Sequence, residues 1–280
     1  MNTSIIFFII LFAAFAHAGW SSLVKSNEDS LFIMGMTSIV EIIIFTPLVF
    51  FVPFPPLKIW YFIIASVIIH GFYRFTVVSS YQFGDLSFVY PIARGTSSLL
   101  LVLLSLIFLS DQISLLGFAG IIIVCAGIFL IAYDRINRFN TKAFLLACMT
   151  ALLIAIYTLI DGLGVRETEN KFSYIFWLLL LNGIPVLGFS LLFKREVFLN
   201  ITKKQIGKGL SAGILAIVSY GLVVWAMKHI EIAYVSAIRE TSIVIATLIG
   251  FFLLGEKQAK KRIVPAVLVL CGITILYFQI

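Results

Sequence analysis

Apolar residues fill this chain in long runs separated by short polar breaks. Runs such as Ile121-Ile122-Ile123-Val124 and Leu178-Leu179-Leu180-Leu181 do not alternate, which argues against the strands of a transmembrane barrel. Most runs approach the ~20 residues that a helix needs to cross a bilayer. The pattern predicts ten helices, over 4–24, 31–52, 58–80, 86–109, 114–133, 143–164, 172–193, 207–228, 232–254 and 263–279. The first run also fits a secretory leader, with Ile5 to Phe15 as its apolar core and Ala16-His17-Ala18 as a cleavage site. However, Met1 to Ser4 hold no basic side chain, and the apolar run resumes at Trp20. It is read as helix one.

Composition sharpens this picture. Of 280 residues, 61% are hydrophobic and 12% charged, with a mean hydropathy of +1.12. A water-soluble fold could not hide that much apolar surface. A soluble enzyme, a disordered chain and a nucleic-acid-binding domain are therefore excluded, and lipid is the expected solvent. The net charge of +7 sits mainly in short loops, where it orients a membrane protein. Cys125, Cys148 and Cys271 lie in apolar runs, an odd number without a CxxC, so neither a disulfide frame nor a metal site is expected. No Walker, HExxH or GxSxG motif is present, so an enzyme is not expected and no cofactor is implied.

The chain resembles itself. Ala93-Arg94-Gly95-Thr96-Ser97 aligns with Ile238-Arg239-Glu240-Thr241-Ser242 at an offset of 145, and the same offset pairs Gly127 with Gly272. Phe108-Leu109-Ser110-Asp111-Gln112 pairs likewise with Leu253-Leu254-Gly255-Glu256-Lys257. At an offset of 137, Ala18-Gly19-Trp20-Ser21 aligns with Ala155-Ile156-Tyr157-Thr158. Two five-helix repeats, residues 1–135 and 141–280, are expected. Five is odd, so the second repeat enters the membrane from the opposite side, a plan of secondary transporters with a site near the midplane.

Ionisable side chains inside a bilayer must face protein or water, which makes each a functional candidate. Arg74, Arg94, Arg239, Glu41, Asp161 and Glu240 all fall within predicted spans. Arg94 and Arg239, matched across the repeat, are expected to bind an anionic group with their planar guanidinium forks. Glu41, Glu240, Arg74 and His17 are candidates for proton coupling, the alternative being ion pairs that lock helices together. Trp20, Tyr90, Tyr157, Tyr220 and Trp225 are candidate walls of the solute site, against the alternative of packing or membrane-surface aromatics. Trp177 is weighed with them. His70, one turn before Arg74, poses the choice between proton relay and packed histidine. Pro91 is expected to break the start of helix four, Pro185 to kink helix seven, and Gly162 and Gly164 to end helix six.

These features resemble the drug/metabolite transporter superfamily, specifically its EamA-type transporters. Gly84-Asp85-Leu86-Ser87-Phe88-Val89-Tyr90-Pro91-Ile92-Ala93-Arg94-Gly95 carries most of the resemblance. His17-Ala18-Gly19-Trp20 and Arg239-Glu240-Thr241-Ser242 resemble the family's signatures in helices one and nine. Ser110-Asp111 stands where the family usually has Gly-Glu, while Gly255-Glu256 keeps that ending. The resemblance implies a ten-helix carrier working by alternating access, commonly an exporter of amino acids or other metabolites, often with proton exchange.

Three core arginines favour an anionic or zwitterionic solute; a cationic drug carrier and a non-transporting membrane scaffold are the alternatives. The expected partners are a small-molecule solute, membrane lipid and protons, with no nucleic acid, in a monomer or homodimer of the cell membrane. Loops after odd-numbered helices hold thirteen of the 20 basic residues, and those after even-numbered helices hold four. The positive-inside rule then puts both termini outside, whereas the resemblance implies cytoplasmic ends.

Overall fold

The computed structural model describes residues 3–25, 30–83, 86–108, 113–133, 140–199, 201–245 and 259–280. They are overwhelmingly helical, and no strand occurs among them. In chain order the helices are α1 (Thr3–Lys25), α2 (Ser30–Leu48), α3 (Leu57–Phe83), α4 (Leu86–Phe108), α5 (Leu115–Tyr133), α6 (Thr141–Glu167), α7 (Lys171–Leu199), α8 (Lys203–Met227), α9 (Ile232–Arg239) and α10 (Ala259–Tyr277). Seven are long and apolar enough to cross a membrane by length and composition. Leu115–Ile131 and Val264–Tyr277 are shorter apolar stretches. Gly84-Asp85, Leu109 to Gln112, Arg135, Arg138 and the expected second half of helix nine, with Leu253 to Lys257, lie outside the described residues.

Local chemistry explains the ends. α2 gives way to a 3-10 turn over Val49–Phe51 before Pro53, Pro55 and Pro56, which cannot continue its hydrogen bonding. Asn140 caps α6, its side chain accepting from the amides of Lys142 and Ala143 at 2.9 and 3.1 Å. Thr202 and Gln205 form a reciprocal capping box at α8.

Two expectations fail here. Pro91 does not break the start of α4: the helix begins at Leu86 and runs through it. Only the bond that Pro91 would donate one turn back is lost. Gly162 and Gly164 do not end α6, which continues to Glu167. They are close-packing positions: a Cβ at Gly162 would collide with Ile232, and one at Gly164 with Tyr174.

The radial order suits lipid. Phe8, Phe12 and Phe15 line one exposed stripe of α1, and Ile64, Ile68, Phe72 and Phe75 one of α3. Polar side chains point inward, where Thr37, Ser38, Ser97 and Ser105 satisfy themselves on carbonyls one turn back. α5 packs on α10, α3 on α6, α2 on α7, α4 on α6, α1 on α8 and α2 on α8. α4, α5 and α9 meet beside them, with α1 against α9.

Candidate functional site

The interior charges fall into three groups. The first joins α4 to α9. Arg94 grips Glu240 through two nitrogens, Nη2 to Oε1 at 2.5 Å and Nε to Oε2 at 3.1 Å. Ser98 donates to Glu240 Oε1 at 3.4 Å and lies 3.3 Å from the Ser236 hydroxyl. Both charged groups are buried. Arg94 stands eight residues into the 23-residue α4, ~12 Å along its axis. α9 stops at Arg239, Glu240 occupies a turn, and residues 241–245 are helical again. The expectation of an unbroken helix over 232–254 is corrected at this turn. The backbone stays hydrogen-bonded through this tight turn, the Glu240 amide donating to the Ala237 carbonyl at 3.1 Å and the Ile243 amide to that of Glu240 at 3.0 Å.

The second group surrounds Arg239. It is buried, like Arg94, but no carboxylate pairs with it among the described residues. Its Nε has no hydrogen-bond partner there, and its guanidinium carbon lies 5.7 Å from the centre of the Tyr220 ring. Tyr157 stacks on His70 at 3.8 Å, and Tyr73, His70 and Tyr220 complete an aromatic cluster with ring separations of 5.4 to 6.4 Å. His70 Nδ1 lies 3.0 Å from the Ser66 carbonyl. Asp161, fully buried, accepts from the Tyr174 hydroxyl at 2.9 Å and from the Tyr220 hydroxyl.

The third group is Glu41, buried on α2 where that helix crosses α7. Its Oε2 has no partner among the described residues, and neither does the side-chain oxygen of Asn182 on α7. Arg74, half-buried on α3, is within electrostatic range of Glu41.

The remaining candidates are dispersed. His17 packs against Trp20 at 5.3 Å and feels both Arg239 and Arg94. Trp20 belongs to an apolar cluster with Phe32, Ile33, Met36 and Ala212. Tyr90 is half-buried against the main core, in range of the Arg94–Glu240 pair. Trp225 sits near the end of α8 beside His229, at 4.7 Å, and under the Lys171 ammonium, at 4.9 Å. Burial and the Lys171 charge push the His229 imidazole below its ordinary range. Trp177 packs on Trp60 and Phe54.

Sequence reasoning passed over Tyr73 and Tyr174 and counted Asp161 among the functional candidates without a specific role. The available signal was modest: a carboxylate inside an apolar span needs donors, and tyrosines of neighbouring helices supply them without adding charge.

Residues 141–278 match the EamA-like transporter family. A solved structure titled only as the crystal structure of a protein shares the fold, with a TM-score of 0.80 over 99% of each chain at 15% identity. No protein of curated function matches. The family match, over the second half of the chain, supports membership of the EamA-type branch of the drug/metabolite transporter superfamily. It is a multi-pass integral protein of the cell membrane.

Proposed function

We propose that this protein is a secondary carrier of a small anionic or zwitterionic metabolite, coupled to protons, with Arg239 as the seat of the solute's anionic group. One observation carries the reading. Of the two repeat-matched arginines, Arg94 is paired with Glu240, whereas no carboxylate pairs with Arg239 among the described residues, and its buried guanidinium lies over an aromatic wall. A buried cation without a counter-ion is costly, and an entering carboxylate or phosphate would offset that cost. The walls are Tyr220, Tyr157 and His70.

The helix pairings support two inverted repeats, residues 1–135 and 141–280, within a ten-span carrier. Exchanging each helix for the one five places on carries the principal pairings of the described residues into one another. α1 on α8 becomes α6 on α3, and α4 on α6 becomes α9 on α1. Likewise α2 on α8 becomes α7 on α3, while α2–α7, α4–α9 and α5–α10 map onto themselves. The glycines follow the same rule. A Cβ at Gly127 would meet the Pro265 carbonyl and Val269 amide; one at Gly272 would meet the Gly120 carbonyl and Val124 amide. Each contact is the other shifted by 145 residues.

The test is counterflow in proteoliposomes with pooled radiolabelled amino acids, organic acids and phosphorylated metabolites. Wild-type protein exchanges at least one pool saturably. Arg239→Ala loses that exchange while still purifying as a folded monodisperse protein. Exchange that survives Arg239→Ala would sink the site, and a wild-type protein inert to every pool would sink the anionic-metabolite reading.

A further inference from the structure

We infer that Asp161 carries the coupled proton, and that Tyr220 links its protonation to the solute seat at Arg239. The inference rests on the carrier function proposed above, and it chooses among three buried acids by what their oxygens touch.

Glu240 is fully engaged: Arg94 takes both oxygens and Ser98 adds a third bond, so a proton arriving there would have to displace a bidentate grip. Glu41 has the opposite difficulty. Nothing among the described residues donates to its Oε2, so no hydroxyl stands there to trade donor and acceptor roles with it. Asp161 differs from both. Each oxygen accepts from a tyrosine hydroxyl, one from α7 and one from α8. A tyrosine hydroxyl is both donor and acceptor. When a hydronium delivers its proton to Asp161 Oδ2, a new O–H bond forms and the Tyr220 hydroxyl turns from donor to acceptor. Release to water on the other face reverses the step, so one proton crosses per cycle and nothing is oxidised or reduced.

The surroundings of Asp161 permit this. α6 is packed by α3, α4, α7, α8 and α9. α3 brings His70 and Tyr73, with the Ser66 hydroxyl beside Asp161 and Arg74 on the same helix. α7 and α8 bring the two tyrosines, and α6 itself brings Tyr157. The cations are Arg94 of α4, beside Tyr90 and already paired, and Arg239 of α9. Arg239 lies over the very ring whose hydroxyl Asp161 holds. Tyr220 is thus one rigid body touched by the proton at its hydroxyl and by the solute-binding cation at its face. Protonation replaces the charge-assisted bond between Asp161 and the hydroxyl with a weaker neutral one, which loosens the ring on which the guanidinium rests, and a solute that draws Arg239 away removes that ring's other restraint in return.

The test needs no knowledge of the solute. Infrared pH-difference spectra of the full-length protein in proteoliposomes report the carboxylic C=O stretch directly. The wild-type band titrates, disappears in Asp161→Asn and persists in Glu41→Gln. Its midpoint moves in Tyr220→Phe, which keeps the ring and removes the hydroxyl. A band that survives Asp161→Asn, or a midpoint indifferent to Tyr220→Phe, overturns the proposal. If Asp161→Asn fails to fold, Tyr174→Phe and Tyr220→Phe must each move the same midpoint, and failure of both to do so overturns it equally. The transport arm uses the metabolite pools: Tyr174→Phe, which removes the other hydroxyl on Asp161 and leaves the solute walls untouched, weakens accumulation driven by a pH gradient but keeps counterflow at equal pH. Absence of counterflow in the wild type, with the band behaving as expected, overturns the carrier reading and the coupling role, and leaves Asp161 as the titrating site.

Discussion

Arg94 and Arg239 occupy matched positions in the two halves, yet among the described residues one is consumed by an ion pair and the other is not. Glu240 decides the difference, and its matched position is Gly95, which can offer no carboxylate. Removing one member of a buried pair strands the other charge at ~3–5 kcal/mol, whereas replacing both with apolar groups of similar size is often neutral. Arg94→Met alone should therefore lower the thermal midpoint of the purified protein sharply. The Arg94→Met, Glu240→Leu double variant should recover most of that loss and retain counterflow, as a structural clasp requires. A double variant as unstable as the single one would show that the charges do more than hold each other. The presence of these groups in the core was legible from the chain, because a charge inside an apolar run has few places to go. Their pairing was not, since Arg94 and Glu240 meet across 146 residues and only the tertiary fold sets which acid reaches which cation. The same holds for Asp161, whose two hydroxyl donors come from other helices.

At the scale of elements, hydropathy located the apolar helices well and their interruptions poorly. The Glu240 turn was not legible in the hydropathy, because the short polar stretch Arg239-Glu240-Thr241-Ser242 sits inside a longer apolar run. Pro91 misled in the other direction: it is the sixth residue of α4, and the helix runs through it despite the missing amide donor. Gly127 and Gly272 were legible as a matched pair, and the structure supplies the reason in the α5–α10 contact. A Cβ at Gly272 would stand 2.6 Å from the Gly120 carbonyl and 2.9 Å from the Val124 amide, both backbone atoms that no rotamer change can move. Gly272→Ala should destabilise by about 1–3 kcal/mol, as overpacking does, with Gly127→Ala close behind. Gly188→Ala is the control: nothing lies within 4 Å of its added Cβ. Better helix propensity should leave that variant unchanged or up to ~1 kcal/mol more stable. Thermal unfolding in one detergent orders the three. Equal effects would mean that the α5–α10 contact is looser than its backbone spacing indicates.

Across the whole molecule, the face bearing the loops after even-numbered helices is stitched together. Lys58 at the start of α3 meets Glu167 at the end of α6 at 2.5 Å, and Ser173 donates to the Pro53 carbonyl at 2.6 Å. Arg166 grips the carbonyls of Met227 and Ile230 at 2.9 and 2.8 Å, and Lys228 returns to those of Arg166 and Thr168. The Ser114 amide donates to Tyr234, and Ser4 lies within 3.2 Å of the Tyr277 hydroxyl, so both chain ends share this face. Several of these bonds join the two halves, and a carrier that alternates must break them to open here. None need be strong: Lys58 and Glu167 are exposed, and such a pair contributes ~0.2–1 kcal/mol. Weakness suits a contact made and broken in every cycle, whereas the buried Arg94–Glu240 clasp suits a pivot that persists. The two assignments separate in one experiment. In a background with Cys125, Cys148 and Cys271 replaced by Ala, Lys58→Cys and Glu167→Cys are bridged by a short, reducible bifunctional thiol reagent. Bridging should abolish counterflow and reduction should restore it, while either single cysteine treated alike stays active. Undiminished exchange through the bridged protein would mean that the solute never passes this face, and a carrier of the kind proposed would be excluded.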